Sequence, residues 1–164
     1  MNGKAIVVVD MQDAFARAIA ERKLLCYAQG EVLRYAGDKK IPVALVEYNN
    51  MGETVEELRE QIRNLKRKTR IVKRGADGFA GTTLEKILSK WGAKDLYFMG
   101  ISGAACVTAT AEGALRRGFN VFTSDDTIAN GGGELKEREF RWYVEGGTYF
   151  SDYREMIAHM EINF

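Results

Sequence analysis

Short apolar runs recur along the chain, each followed by a stretch with helical spacing. Lys4-Ala-Ile-Val-Val-Val9 is β-branched and almost wholly apolar, the pattern of a central parallel strand covered on both faces. Val43–Glu47 forms a second run behind Pro42, the only proline, and Ile71-Val72 leads a short third run into Lys73. Leu96–Met99 and Asn120–Ser124 read as further strands, and Thr148–Phe150 as a short last one. Between them the spacing predicts helices over Lys23–Gly37, Val55–Lys66, Leu84–Trp91, Cys106–Arg117, Glu134–Val144 and Ser151–Met160. The first of these turns Leu24, Tyr27, Ala28, Val32, Leu33 and Ala36 inward, with Cys26 as ordinary packing. Thr54 is placed to cap the second, and Thr82 or Thr83 the third. Gly131-Gly132-Gly133 reads as a flexible link. Strands alternating with helices throughout define an α/β chain with a three-layer, doubly wound, mostly parallel sheet, expected as one domain over residues 1–164.

Composition removes several function classes. The net charge of +1 gives no basic field for nucleic acid or an anionic membrane. The basic run Lys66-Arg-Lys-Thr-Arg70 fits a solvated helix end better than a nucleic-acid patch. No apolar run has the length of a membrane span or a signal h-region. Two cysteines, Cys26 and Cys106, make no disulfide framework, and a cytoplasmic setting follows as the default. The single histidine, His159, sits in a last helix with structural spacing and leaves His-dependent triads and a zinc site poorly supplied, so no metal or cofactor is expected. Gly75-Ala-Asp-Gly-Phe-Ala-Gly81 matches no phosphate-binding fingerprint.

Three reactive groups stand at or just after predicted strand ends: Asp10, Lys73 and Cys106. Strand C-termini of a doubly wound sheet share one edge, where ligands bind, so the three can converge. Each has a plainer reading. Asp10 suits a helix cap, Lys73 a surface charge, and Cys106 a small apolar residue at a helix start. As a group they suit nucleophilic catalysis without histidine. A carboxylate takes the thiol proton, and an ammonium and a helix N-terminus stabilise the thiolate. A thiol at such a terminus should have a lowered pKa.

These residues bring a family into view. Val7-Val-Val-Asp10-Met11-Gln12 with Phe15, Lys73 with Phe79, Gly81, Thr82 and Leu84, Gly100-Ile101 with Cys106-Val107, Thr110, Ala111 and Ala114, and Asp125 together resemble the isochorismatase-like cysteine hydrolases. That group includes nicotinamidases and N-carbamoylsarcosine amidohydrolases, and the resemblance implies a Rossmann-type sheet. It implies Asp10 as general base and later acid, Lys73 as charge partner and Cys106 as nucleophile. It also implies a non-proline cis peptide between Ile101 and Ser102, aiming the Ser102 N–H, with that of Cys106, at a substrate oxygen. A small amide-like substrate and a homodimer or homotetramer are implied in the same way.

Departures from the family narrow the chemistry. Where nicotinamidases carry an Asp/His metal cluster, this chain reads Glu47-Tyr-Asn-Asn-Met51, so that metal is not expected. Isochorismatases proper lack the cysteine nucleophile, so Cys106 argues against vinyl-ether hydrolysis. Gly103 replaces a frequent threonine and leaves one pocket wall bare. The short segment between the second and third strands makes a more open pocket. Phe15, Tyr48, Phe79 and Tyr149 are candidate pocket aromatics, each with core packing as the plainer reading. Two other functions stay in view: a non-catalytic ligand-binding module on the same fold, and a redox-sensing thiol protein built on Cys106.

Overall fold

The computed structural model describes residues 3–130 and 146–162. The link Gly131–Gly133 and the helix expected over Glu134–Val144 lie outside the described residues. The described elements run β1 (Lys4–Val9), α1 (Asp13–Ala16), α2 (Arg22–Lys39), β2 (Val43–Tyr48), α3 (Glu56–Gln61), β3 (Lys68–Lys73), α4 (Leu84–Lys90), β4 (Asp95–Ile101), a π-helical turn (Gly103–Val107), α5 (Thr108–Arg116), β5 (Asn120–Ser124), β6 (Ile128–Ala129), β7 (Thr148–Phe150) and α6 (Tyr153–Ile162). The seven strands form one sheet in the order β3-β2-β1-β4-β5-β7, with β6 paired to the end of β4, and every pairing is parallel. The expected three-layer α/β sheet is the one found.

The period of two along β1 sorts its side chains between two cores. Ile6 and Val8 join α2, α3 and α6 on one face, with Val32, Leu33, Leu58, Met156 and Met160. Ala5, Val7 and Val9 join α4 and α5 on the other, with Leu84, Leu88, Ala111 and Ala114. β1 is buried along its whole length, as its unbroken apolar run requires.

The expectations that fail do so for local reasons. On α2 the buried stripe is Leu25, Cys26, Ala28, Gln29, Val32, Leu33 and Ala36. Leu24 and Tyr27 are exposed, at 65% and 59%. Gln29 takes an inward place because its Nε2 donates to the Thr127 carbonyl at 2.8 Å, a bond no hydropathy pattern reveals. Thr54 caps no helix; its N–H and hydroxyl both donate to Glu47, and Val55 precedes α3. The basic run belongs to the fold: Arg67 donates to the Lys40 carbonyl at the end of α2, and Lys68 to the Ile62 and Arg63 carbonyls after α3. β3 therefore begins at Lys68, within the charged run.

Gly100 decides how closely β4 lies on β1. Its φ is +137°, and a Cβ there would stand 2.0 Å from the Val9 carbonyl oxygen, far inside van der Waals contact. Only glycine permits this approach, which brings the ends of β1 and β4 together just before Asp10 and Ser102.

Candidate active site

The three strand-end groups meet. Asp10 follows β1 with φ +53°, a left-handed conformation that Asp tolerates better than most residues. Its N–H donates to the Val46 carbonyl at 2.9 Å, which turns the chain off the sheet. The carboxyl caps no helix, because α1 starts three residues later behind Gln12. Lys73, the last residue of β3, is fully buried and reaches Asp10 Oδ2 from Nζ at 3.1 Å, with 2% of the Asp10 side chain exposed. Nζ also donates to the Gly75 carbonyl at 2.9 Å. A lysine so enclosed is no surface charge. Asp10 Oδ1 is buried and has no well-formed hydrogen bond among the described residues.

Cys106 lies on the π turn, two residues before α5, and is half-buried. Two groups hold that turn. The Ser102 carbonyl accepts from the Ala105 and Val107 N–H groups, both at 3.1 Å. Asn130 Oδ1 accepts the Ala104 N–H at 2.9 Å. The peptide bond between Ile101 and Ser102 is cis. The thiol interacts with both Asp10 and Lys73.

The thiol's electrostatics run opposite to the expectation of a lowered pKa. Burial, then the hydrogen bond to Asp10 and its negative charge, push the Cys106 thiol up to about 11 against the pull of Lys73. The expected helix N-terminus is displaced too, since a π turn carries the cysteine and α5 begins at Thr108. Burial also raises the Asp10 carboxyl above the ordinary carboxylate range, while Cys106 and Lys73 pull it down. At neutral pH the resting cluster therefore holds a thiol. Passing that proton to Asp10 turns carboxylate and thiol into acid and thiolate with no change in net charge.

The pocket aromatics divide. Phe79 is a core residue: it is 3% exposed, stacks on Phe119 with centroids 6.1 Å apart, and lies under the Arg117 guanidinium. Core packing, the plainer reading of this candidate, holds: the loop after Lys73 puts it in the α4–α5 core. Gly103 is buried inside the π turn, so it leaves no bare wall. Phe15 and Tyr48 are partly buried and meet edge to face at 6.3 Å. The Tyr48 ring centroid is 4.4 Å from Lys73 Nζ. Tyr149 directs its hydroxyl to Asp125.

Four supporting residues were given no role from sequence. Gln12 is fully buried and clamps the β2 end: its Oε1 accepts the Tyr48 N–H at 2.8 Å, and its Nε2 donates to the Tyr48 and Gly52 carbonyls. Thr110 is also buried. It accepts the Gly78 N–H at 2.9 Å and donates to the Cys106 carbonyl at 2.7 Å, tying the turn that carries Cys106 to the loop behind Lys73. Glu47 is 1% exposed at the end of β2. The strand-end rule that singled out Asp10 would have found it. Asn130 carried no signal at all. Among the described residues no group of His, Cys, Asp or Glu is placed to hold a metal ion, and no helix is long and apolar enough to cross a membrane.

The fold is a parallel α/β sheet with a carboxylate, an ammonium and a thiol gathered at its strand ends. The Isochorismatase domain profile matches residues 4–152, and the chain belongs to the isochorismatase family, which supports reading it as a hydrolase of that family. Among curated proteins no sequence matches the chain. Among the solved structures that share the fold are the following three. The MAR1 ribonuclease of Caenorhabditis elegans has a TM-score of 0.82 at 19% identity, over 97% of this chain and 81% of its own. The nicotinamidase of Staphylococcus aureus has a TM-score of 0.77 at 17% identity, over 92% of this chain and 100% of its own. The N-carbamoylsarcosine amidase of Thermoplasma acidophilum has a TM-score of 0.72 at 20% identity, over 90% of this chain and 95% of its own. Their names span different reactions, so the fold leaves the chemistry to the site.

Proposed function

We propose that the chain is a cysteine amidohydrolase cleaving a carbon–nitrogen bond in a small amide-like substrate. The observation that carries this reading is the buried Asp10–Lys73 pair set against the Cys106 thiol. Asp10 takes the Cys106 proton as Sγ attacks the substrate carbonyl carbon. The Ser102 and Cys106 N–H groups receive the oxyanion, a contribution of about 3–4 kcal/mol per donor in comparable sites. Asp10, now an acid, protonates the departing nitrogen, and the C–N bond breaks to leave a thioester and a free amine or ammonia. Water then attacks the thioester while Asp10 accepts its proton, the carbon–sulfur bond breaks, and the acid product leaves. Asp10 returns that proton to Sγ, and the thiol is restored. Lys73 keeps its charge throughout and favours both the carboxylate and the thiolate. No step requires a metal or cofactor. Phe15 and Tyr48 are the pocket walls of this reading, and a homodimer or homotetramer its expected assembly.

The test is ammonia or amine release across a panel of primary amides and carbamoyl amino acids, for the wild type and Cys106→Ala. Turnover of a panel member by the wild type, lost in a folded Cys106→Ala protein, is expected. Full activity without the thiol would sink the scheme. One observation favours a second reading, a non-catalytic ligand-binding module: the raised Cys106 thiol carries little thiolate at neutral pH. That reading predicts no turnover of any panel member and ligand binding that survives Cys106→Ala.

A further inference from the structure

The register of β2 and β3 sets Tyr48 directly beside Lys73. Neighbouring residues of parallel strands point to the same face, so the ring and the ammonium share one side of the sheet. The centroid lies 4.4 Å from Nζ, well within cation–π range. The ring is itself fixed on three sides. Gln12 holds the Tyr48 backbone through both its N–H and its carbonyl. The phenol donates to the Arg74 carbonyl at 3.1 Å. Phe15 meets the ring edge to face. These contacts do not involve Asp10 or Cys106.

We propose that Tyr48 is a positioning residue for Lys73, its ring holding the ammonium against Asp10 and Cys106 without neutralising it. The chemistry of an aromatic ring makes the difference. A carboxylate beside Nζ would hold the lysine equally well, but its full negative charge would cancel the field that Lys73 exerts on the thiol. The ring quadrupole attracts the ammonium and offers neither a net charge nor a proton acceptor. Lys73 donates to one anion, Asp10, and one carbonyl, Gly75, and interacts with the Cys106 thiol. The remaining hold on it comes from a neutral surface. Glu47, the next carboxylate along β2, points to the opposite face and pairs with Arg70. Tyr48 therefore does more than line a pocket: it acts through Lys73 on the thiol.

Cys106 alkylation reads this directly, because Lys73 draws the thiol toward thiolate. Iodoacetamide labelling at about pH 8.5, followed on the Cys106 peptide by mass spectrometry, compares the wild type with Tyr48→Phe, Tyr48→Leu, Lys73→Met and the Tyr48→Leu/Lys73→Met double variant. Tyr48→Phe keeps the ring and should label within about twofold of the wild type, and Tyr48→Leu about three- to tenfold more slowly. In the Lys73→Met background, Tyr48→Leu should have no further effect. Thermal melting serves as the control, because a purely structural Tyr48 would lower the melting temperature and leave the labelling rate alone. Tyr48→Met replaces Tyr48→Leu if that variant does not fold. The proposal is overturned if the ring-deleted variant labels like the wild type, or slows equally with and without Lys73. Labelling needs no substrate, so its failure leaves the hydrolase reading intact, and absent hydrolysis leaves this proposal intact.

Discussion

Asp10 and Glu47 end adjacent strands, both are buried, and each pairs with a cation from β3, yet they occupy opposite chemical conditions. Glu47 is saturated. Its Oε2 accepts from the Thr54 N–H and hydroxyl, at 2.6 and 2.8 Å, and its Oε1 takes Arg70. Asp10 has Lys73 on Oδ2, a hydrogen-bonding thiol beside it, and an Oδ1 with no well-formed protein hydrogen bond among the described residues. A carboxylate whose acceptor sites are filled by backbone and hydroxyl donors fixes a loop. One with an open acceptor site beside an ionisable thiol can exchange a proton. Burial alone does not separate a structural acid from a chemical one; the state of the second oxygen does.

Swapping each acid for its amide should break the comparison most visibly. Asp10→Asn should lower amide turnover by about 10²–10⁴-fold, the range for a lost general acid–base group, and should also lower the melting temperature, because Lys73 is left buried without its anion. Glu47→Gln should differ in activity. Turnover falls only modestly, but an amide cannot accept from Thr54 and pair with Arg70 at once, so denaturant unfolding should show a loss of about 1–3 kcal/mol. If both substitutions damage activity equally, the distinction fails.

A smaller effect lies in the pH dependence of Cys106 alkylation. In the wild type the labelling rate should climb about tenfold per pH unit from neutrality toward the thiol value near 11. Asp10 raises that value through its hydrogen bond and charge, so Asp10→Asn should shift the profile to lower pH. Lys73 lowers it, so Lys73→Met should shift the profile upward. Opposite shifts would show the thiol reading both neighbours, and shifts of one sign would break the cluster.

The smallest effect links the two acids. The Glu47 charge adds slightly to the raised Asp10 value. Glu47→Gln should therefore move the acidic limb of any pH–rate profile to lower pH, by a fraction of a unit, because Asp10 then ionises more readily. A shift upward, or one as large as that from Lys73→Met, would contradict the separation of the two sites.

Much of this site is legible in the chain because strand-end chemistry follows from topology. Asp10 and Lys73 terminate recognisable apolar runs, and Cys106 follows one closely. What is hidden has physical reasons. β3 reads as two residues because its first half, Lys68-Thr-Arg70, lies at the sheet edge, where charge is tolerated and apolar patterning is lost. The thiol's raised value depends on how deeply the π turn seats Cys106 against Asp10, which no residue spacing encodes. Phe79 is a candidate for pocket or core alike by type, and only the path of the 75–81 loop turns it inward. Gln12 and Thr110 act through hydrogen bonds to backbone groups remote in sequence, and hydropathy is blind to such bonds.

β3 stands at one end of the strand order and carries both Arg70 and Lys73. An outer ribbon, laddered on one side only, is where a sheet ordinarily starts to unzip. Here, peeling it away would strip two enclosed anions of their counter-ions in a single event. The sheet margin is thereby latched electrostatically, and the ammonium that draws the thiol toward thiolate is bolted to the same latch.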